Sequence, residues 1–187
     1  MIDVAQAERL AAHSVSARLL AHCRRVADVA AELARRWGGD ETDARLAGLL
    51  HDLCRAWSPE ELLRAAERHS LTVGALERRH PLQLLHGPVA AAELSGEGLS
   101  RSALAAIALH TVGGPAMDVV ARCVYVADFC EPGRRFAGAA EVRSLASRSL
   151  DQAVAAAARM TLQQLLDKHQ LLAPATVALY NECHGQG

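Results

Sequence analysis

The sequence predicts an all-α fold, and three observations carry that expectation. Hydrophobic residues make up 51 % of the 187-residue chain, yet aromatics only 3 %. A core of Ala, Leu and Val is implied, which suits closely packed helices better than sheets. Apolar residues recur at helical spacing in nearly every segment, and no stretch alternates apolar and polar residues as a half-buried strand would. The length is that of one domain, and no repeat or long linker divides it. The chain therefore reads as a single compact helical bundle over 1–187, with a core at about 16–170 and a C-terminal helix at about 174–183.

The elements follow in chain order. From about Val15 to Trp37, the residues Leu19, Leu20, Val26, Val29, Ala30 and Leu33 form an apolar stripe that stops at Gly38-Gly39. Asp40 can cap the next helix, which runs through ARLAGLLHDLCRAW. Ser58-Pro59-Glu60-Glu61 supplies an N-cap, a proline at N1 and a capping-box acid, so a third helix begins there. Pro81 ends the segment after it. A helix from about His86 crosses PVAAAEL, and Ser100 caps another through SALAAIALH. Gly113-Gly114-Pro115 breaks the chain before a strongly apolar helix over 116–130. A loop with Pro132, Gly133 and Gly138 follows, and two final helices cover about 140–169 and 174–183.

Composition excludes several functions. The net charge is −1, with 22 % charged residues, which argues against broad electrostatic binding to nucleic acid or to an anionic membrane. No apolar run approaches the ~18 residues of a membrane span, and the N-terminus lacks the basic start and apolar run of a signal peptide. The five cysteines form no C-x-x-C pair. They read as reduced thiols of a cytoplasmic protein rather than as zinc ligands. The apolar composition also suggests a homodimer.

The chemistry lies in polar residues set inside apolar runs. His51-Asp52 sits in LAGLLHDLC, Asp128 in CVYVADFC, His110 ends AIALH, His22 lies in LLAHCRRV, and His86 follows LQLL. A buried carboxylate is costly unless it is paired or bound to metal. Neutral imidazole and carboxylate are ligands for iron, manganese, cobalt or zinc, so a metal centre is a common cause for all six. Neighbouring His and Asp on one helix point about 100° apart. Either they flank a metal at the helix edge, or the aspartate reaches between two metals. With nine histidines and nine aspartates in 187 residues, chance alone gives about 0.4 His-Asp pairs, so the dipeptide means little by itself. Taken singly, His22 reads as a core histidine and Asp128 as an arginine's partner.

The ordered set is His22-x-x-Arg25, His51-Asp52, His86-Gly87, His110-Thr111 and Asp128. It resembles the HD-domain superfamily of metal-dependent phosphohydrolases. LAGLLHDLCR, LLHGPVAA, AIALHTVGG, VYVADFCEPGRRF and the closing LAPATVALYN are similar to the bacterial YqeK-type HD proteins. Members of that family are symmetrical bis(5′-nucleosyl)-tetraphosphatases, which cleave diadenosine tetraphosphate into two ADP. The resemblance implies a metal held in the core by His22, His51, Asp52 and Asp128. The ion implied is iron, with manganese, cobalt or magnesium as alternatives. His86 and His110 would bind a second metal or face the substrate phosphates. Arg55 stands where the family carries a lysine, and a guanidinium can hold phosphate bidentately. Asp52 and Arg55 would carry catalysis, while Arg25, Thr111 and Arg134 would complete a phosphate cradle. A metal lowers the pKa of bound water from about 15.7 to about 7, which supplies the nucleophile.

Other readings stand beside this one. Thr111 can instead bond back to a helix carbonyl. Glu131 reads as a structural partner of an arginine rather than a general base. His13, His69, His80, His169 and His184 read as solvated, and Trp57 and Phe136 as packing residues that could instead stack on a base. A nucleotide phosphomonoesterase, a di-iron oxygenase and a helical transcription regulator are the competing functions. Inorganic phosphate release, oxygen uptake and specific DNA binding would identify them in turn.

Overall fold

Side-chain caps decide where most of the helices begin. In the computed structural model, which describes residues 2–185, Asp3 and Gln6 form a capping box that opens α1 (Val4–Ser14). This helix lies outside the expected core, because its short apolar stripe (Ala7, Ala11) is weak as a sequence signal although both residues are fully packed. Ser16 caps α2 (Ala17–Trp37), which ends at Gly38 with φ +78°, the left-handed conformation that favours glycine. Asp40 caps α3 (Glu41–Leu50), and Ser58 with Glu61 and Pro59 opens α4 (Pro59–Arg68) as expected. Two short helices, α5 (Ala75–Arg79) and α6 (Pro81–Leu84), lead into α7 (His86–Glu93). Ser100 caps α8 (Arg101–Leu109), and Asp118 caps α9 (Val119–Cys130).

Three expected boundaries are corrected. The helix after Asp40 stops at Leu50 instead of running to Trp57. The His51 ring bonds the Gly48 carbonyl at 2.8 Å, and the chain continues in tight turns bonded Leu53 to Leu50, Arg55 to Asp52 and Trp57 to Cys54. The apolar helix expected over 116–130 begins only at Val119, where Asp118 caps it. The helix expected over 140–169 is two, α10 (Ala137–Ala146) and α11 (Leu150–Asp167), because Ser149 caps a new start. α12 (Pro174–His184) closes the chain.

α9 is the central element: eight of its residues are buried, from Val120 to Cys130. α2, α3, α8, α10 and α11 pack around it. α2 and α3 cross so closely that a Cβ on Gly48 would lie 2.5 Å from the Ala27 Cα. Gly87 does the same for α7, whose Cβ there would meet the Ile107 carbonyl at 2.9 Å and the His110 ring at 3.1 Å. Buried apolar residues from α1 to α12 form one contiguous cluster. Among the described residues there is no strand, and no helix is long and apolar enough to cross a membrane. All five cysteines are free, four of them buried.

Candidate metal centre

Three histidines are delivered at helix ends by one local device. His51 follows the last residue of α3 and His110 the last of α8; their Nδ1 atoms lie 2.8 Å from the Gly48 and Ile107 carbonyls, three residues back. His86 opens α7 with Nδ1 2.9 Å from the Leu82 carbonyl. A carbonyl only accepts, so Nδ1–H donates in each ring and the neutral imidazole keeps its Nε2 lone pair for the interior. His22, in the body of α2, reaches the same state through a side chain: its Nδ1 is 3.1 Å from Glu131 Oε1.

The four Nε2 atoms converge on two carboxylates. His22 Nε2 lies 3.1 Å and His51 Nε2 3.9 Å from Asp128 Oδ1. Asp52 divides its oxygens: Oδ2 is 3.4 Å from His51 Nε2, while Oδ1 is 3.3 Å from His86 Nε2 and 3.6 Å from His110 Nε2. His22, His51 and Asp128 offer ligand atoms within 4.8 Å of one another, as do His51, Asp52 and His110. The tight turn after Leu50 is what lets neighbouring His51 and Asp52 face one point.

This donor set fits a cation. His86 Nε2 and His110 Nε2 stand 3.0 Å apart, and with both Nδ1 protons committed they meet lone pair to lone pair. His22 Nε2 and His51 Nε2 are buried without a hydrogen-bond partner. Acceptors that close, out of water, need a positive charge between them. The titration of the free protein points the same way. Burial opposes charge on His51, but the Asp52 and Asp128 carboxylates outweigh it and raise its pKa to about 9. Burial likewise opposes ionised Asp52 and Asp128, yet the surrounding imidazoles hold both well below the usual carboxylate range, helped at Asp128 by Arg134. Burial, with the nearby His110, keeps the His86 pKa low.

The expected phosphate-binding residues divide into two groups. Thr111 Oγ1 is 2.9 Å from His110 Nε2 and 3.2 Å from His86 Nε2, so the hydroxyl faces the centre and not a helix carbonyl. Arg55 Nη1 lies 3.4 Å from the His86 ring. Arg134 folds back on α9, with Nη2 2.6 Å from Asp128 Oδ1 and Nε 2.9 Å from the Asp128 carbonyl. Arg25 is committed to Glu131, its Nε 2.5 Å from Oε2. Glu131 is 2 % exposed and also accepts from the Gly133 N–H. Burial pushes its pKa up, but Arg25, Gly133 and His22 outweigh this and lower it to about 2.

Two residues carry more than their sequence context suggested. Glu131 is an arginine's partner, as expected, but it also orients His22; its place three residues after Asp128 was the available signal. His80 is not solvated: its Nε2 is buried without a partner, and only its position before Pro81 and α6 hinted at enclosure. Trp57 packs against the core. Phe136 is 46 % exposed and edge-on to Phe129.

Helices that bring four histidines and two aspartates to one buried point define a class of helical hydrolases named for its adjacent His-Asp pair. The profile of that class, the HD domain, matches residues 19–133. The chain belongs to the HD domain family. A Bacillus subtilis protein named symmetrical bis(5′-nucleosyl)-tetraphosphatase is 35 % identical over 162 residues, 86 % of each chain. A Staphylococcus aureus protein of the same name is 31 % identical over 171 residues, covering 89 % of this chain and 87 % of the relative. A crystal structure described as a predicted HD superfamily hydrolase involved in NAD metabolism, from Clostridium acetobutylicum, superposes with a TM-score of 0.93 at 27 % identity over 100 % of both chains.

Proposed function

We propose that the protein is a metal-dependent phosphohydrolase that cleaves symmetrical dinucleoside tetraphosphates, diadenosine tetraphosphate giving two ADP. The carrying observation is the convergence of four Nε2 lone pairs on Asp52 and Asp128, with Thr111 and Arg55 at the same point. The relatives' names supply the substrate class. In this reading His22, His51, Asp52 and Asp128 hold the principal ion. His86 and His110, facing the other Asp52 oxygen, hold a second ion or meet phosphate. Mixed imidazole and carboxylate donors suit iron, with manganese, cobalt or magnesium as alternatives. When bound, the ion supplies a Lewis acid that makes water nucleophilic at neutral pH.

The chain's own residues do the rest. Arg55 and Thr111 orient phosphate oxygens and offset the charge that grows on them. Arg134 offers its outer face to the same group while it holds Asp128, and Arg25 acts through Glu131. The leaving nucleoside diphosphate is already a stable anion, so little general-acid help is needed. We propose further that the chain works as one domain over 1–187, as a homodimer in the cytoplasm, a compartment that suits five free thiols.

Product chromatography tests the reaction. Protein loaded with iron or manganese is expected to turn diadenosine tetraphosphate into ADP alone. AMP with ATP would overturn the symmetrical cleavage, and inorganic phosphate would identify a phosphomonoesterase. Metal analysis names the ion, and light scattering reads the oligomeric state.

A further inference from the structure

The loop between α8 and α9 carries Thr111, and α12 holds that loop in three places. Thr176 donates its hydroxyl to the Val112 carbonyl at 2.8 Å. Leu179 packs on Gly113, whose φ is +64°; a Cβ there would run into the Leu179 side chain. Glu182 accepts the Ala116 N–H at 2.7 Å. Each of the three follows the last by three residues along one side of α12. They meet the loop in step, at Val112, then Gly113, then Ala116. Thr176 and Leu179 are buried.

The loop does not take this shape at no cost. Ala116 has φ +57°, a left-handed conformation that is strained for a residue with a Cβ and persists where its surroundings impose it. Here Glu182 takes its N–H, and Arg122 of α9 bonds both Glu182, at 3.4 Å, and the Met117 carbonyl, at 2.9 Å. The Val112 peptide that Thr176 fixes adjoins Thr111, whose hydroxyl faces His110 and His86 Nε2. A threonine is stiff at χ1, so the direction of its hydroxyl follows its backbone. His110 has a tie of its own to the Ile107 carbonyl, and the three contacts therefore bear on Thr111 more than on the histidine. The closing segment LAPATVALYN, which contains Thr176, thus has a part in the site although it supplies no member of the centre.

We propose that α12 is a clamp on the phosphate-facing turn, in which Thr176, backed by Glu182, is the positioning residue that aims the Thr111 hydroxyl. The inference rests on the reading of Thr111 as a phosphate ligand and adds what orients it. A hydroxyl already held in its bound direction loses less freedom when phosphate arrives, so the clamp is read out as affinity.

Calorimetric titration of manganese-loaded protein with ADP, alongside hydrogen exchange of the 111–116 segment, tests it. Thr111→Val sets the scale: loss of one neutral hydrogen bond is expected to weaken ADP binding roughly three- to tenfold. Thr176→Val has nearly the same shape but no donor. It should speed exchange of the loop and weaken ADP binding by more than about twofold and up to about tenfold, with manganese content unchanged. Thr176→Ser keeps the donor and should restore wild-type affinity. Thr111→Val with Thr176→Val should bind ADP like Thr111→Val alone, because two changes that act through one hydroxyl do not add. A Thr176→Val protein with lowered Tm but wild-type ADP affinity overturns the clamp, and so do additive losses in the pair or an unaffected Thr111→Val. Should Thr176→Val fail to fold, Glu182→Ala, at the more exposed end of the clamp, is judged by the same outcomes. Wild type that binds ADP in this Thr176-dependent way but leaves diadenosine tetraphosphate intact removes the proposed reaction and leaves the clamp standing.

Discussion

Each histidine of the centre has one nitrogen spent on orientation and one kept for work. Three spend it on backbone carbonyls three or four residues back, which no side-chain substitution can remove. His22 alone depends on a carboxylate, Glu131, from 109 positions away. Such a partner fixes the ring and raises its basicity, and its loss commonly costs 10–100-fold in metal affinity. Glu131→Gln is therefore expected to lower metal affinity by about 10–100-fold, measured by competition with a chromogenic chelator. Asp52 faces both groups of ligands, so Asp52→Ala should abolish both metal retention, read by elemental analysis, and turnover. Arg55 touches no carboxylate of the centre. Arg55→Ala should raise KM and also lower kcat, because the guanidinium offsets charge that grows in the transition state, and a metal content below that of wild type would contradict its assignment to substrate.

At the scale of elements, close helix crossings set what the sequence can tolerate. Gly48 lets α3 lie against α2 with backbone on backbone, and no flexible side chain there can move aside. Overpacking of this kind costs ~1–3 kcal/mol. Gly48→Ala should lower Tm by roughly 2–12 °C in a calorimetric scan, at about 2–4 °C per kcal/mol for a domain of this size. The caps explain how much of the architecture was legible. Asp40, Ser58 and Ser100 each bond a backbone N–H three residues on, and each marks a start that local chemistry favours. The stops were harder. Nothing local to ARLAGLLHDLCRAW ends a helix at Leu50; there the chain passes into i→i+3 turns that set where the His51 ring and the Asp52 carboxylate point. The six residues of the candidate centre were visible as polar residues in apolar runs. The tie of Glu131 to His22 was not, because it joins α9 to α2 across the core. The enclosure of His80 was hidden for the same reason, since α11 and the segment before α12 build its walls.

Across the whole molecule, the buried carboxylates govern the response to acid. Glu131 titrates at about 2 in the folded protein against an ordinary 4.5. A depressed folded pKa contributes stability that is full above pH 4.5 and lost as pH falls towards 2; Asp52 and Asp128 shift in the same direction. The raised pKa of His51 acts oppositely in the metal-free protein: its contribution is full below 6.5 and is lost as pH rises through 9. Denaturant unfolding of metal-free protein should therefore show stability falling below pH 4.5 and above pH 6.5, with Glu131→Gln flattening the acid limb. One feature of the centre reaches furthest. Its histidines and aspartates come from α2, the turn after α3, the ends flanking α7 and α8, and α9, so no fragment of the chain owns it. An ion seated there acts as a rivet through most of the polypeptide, and it grips the native chain alone. At a hundred times its Kd, such a ligand adds about 2.7 kcal/mol to unfolding. Stripping the ion should thus loosen the α2–α9 crossing, where His22 and Asp128 meet, as well as silence the chemistry, and a chelator should behave towards this protein as a mild denaturant.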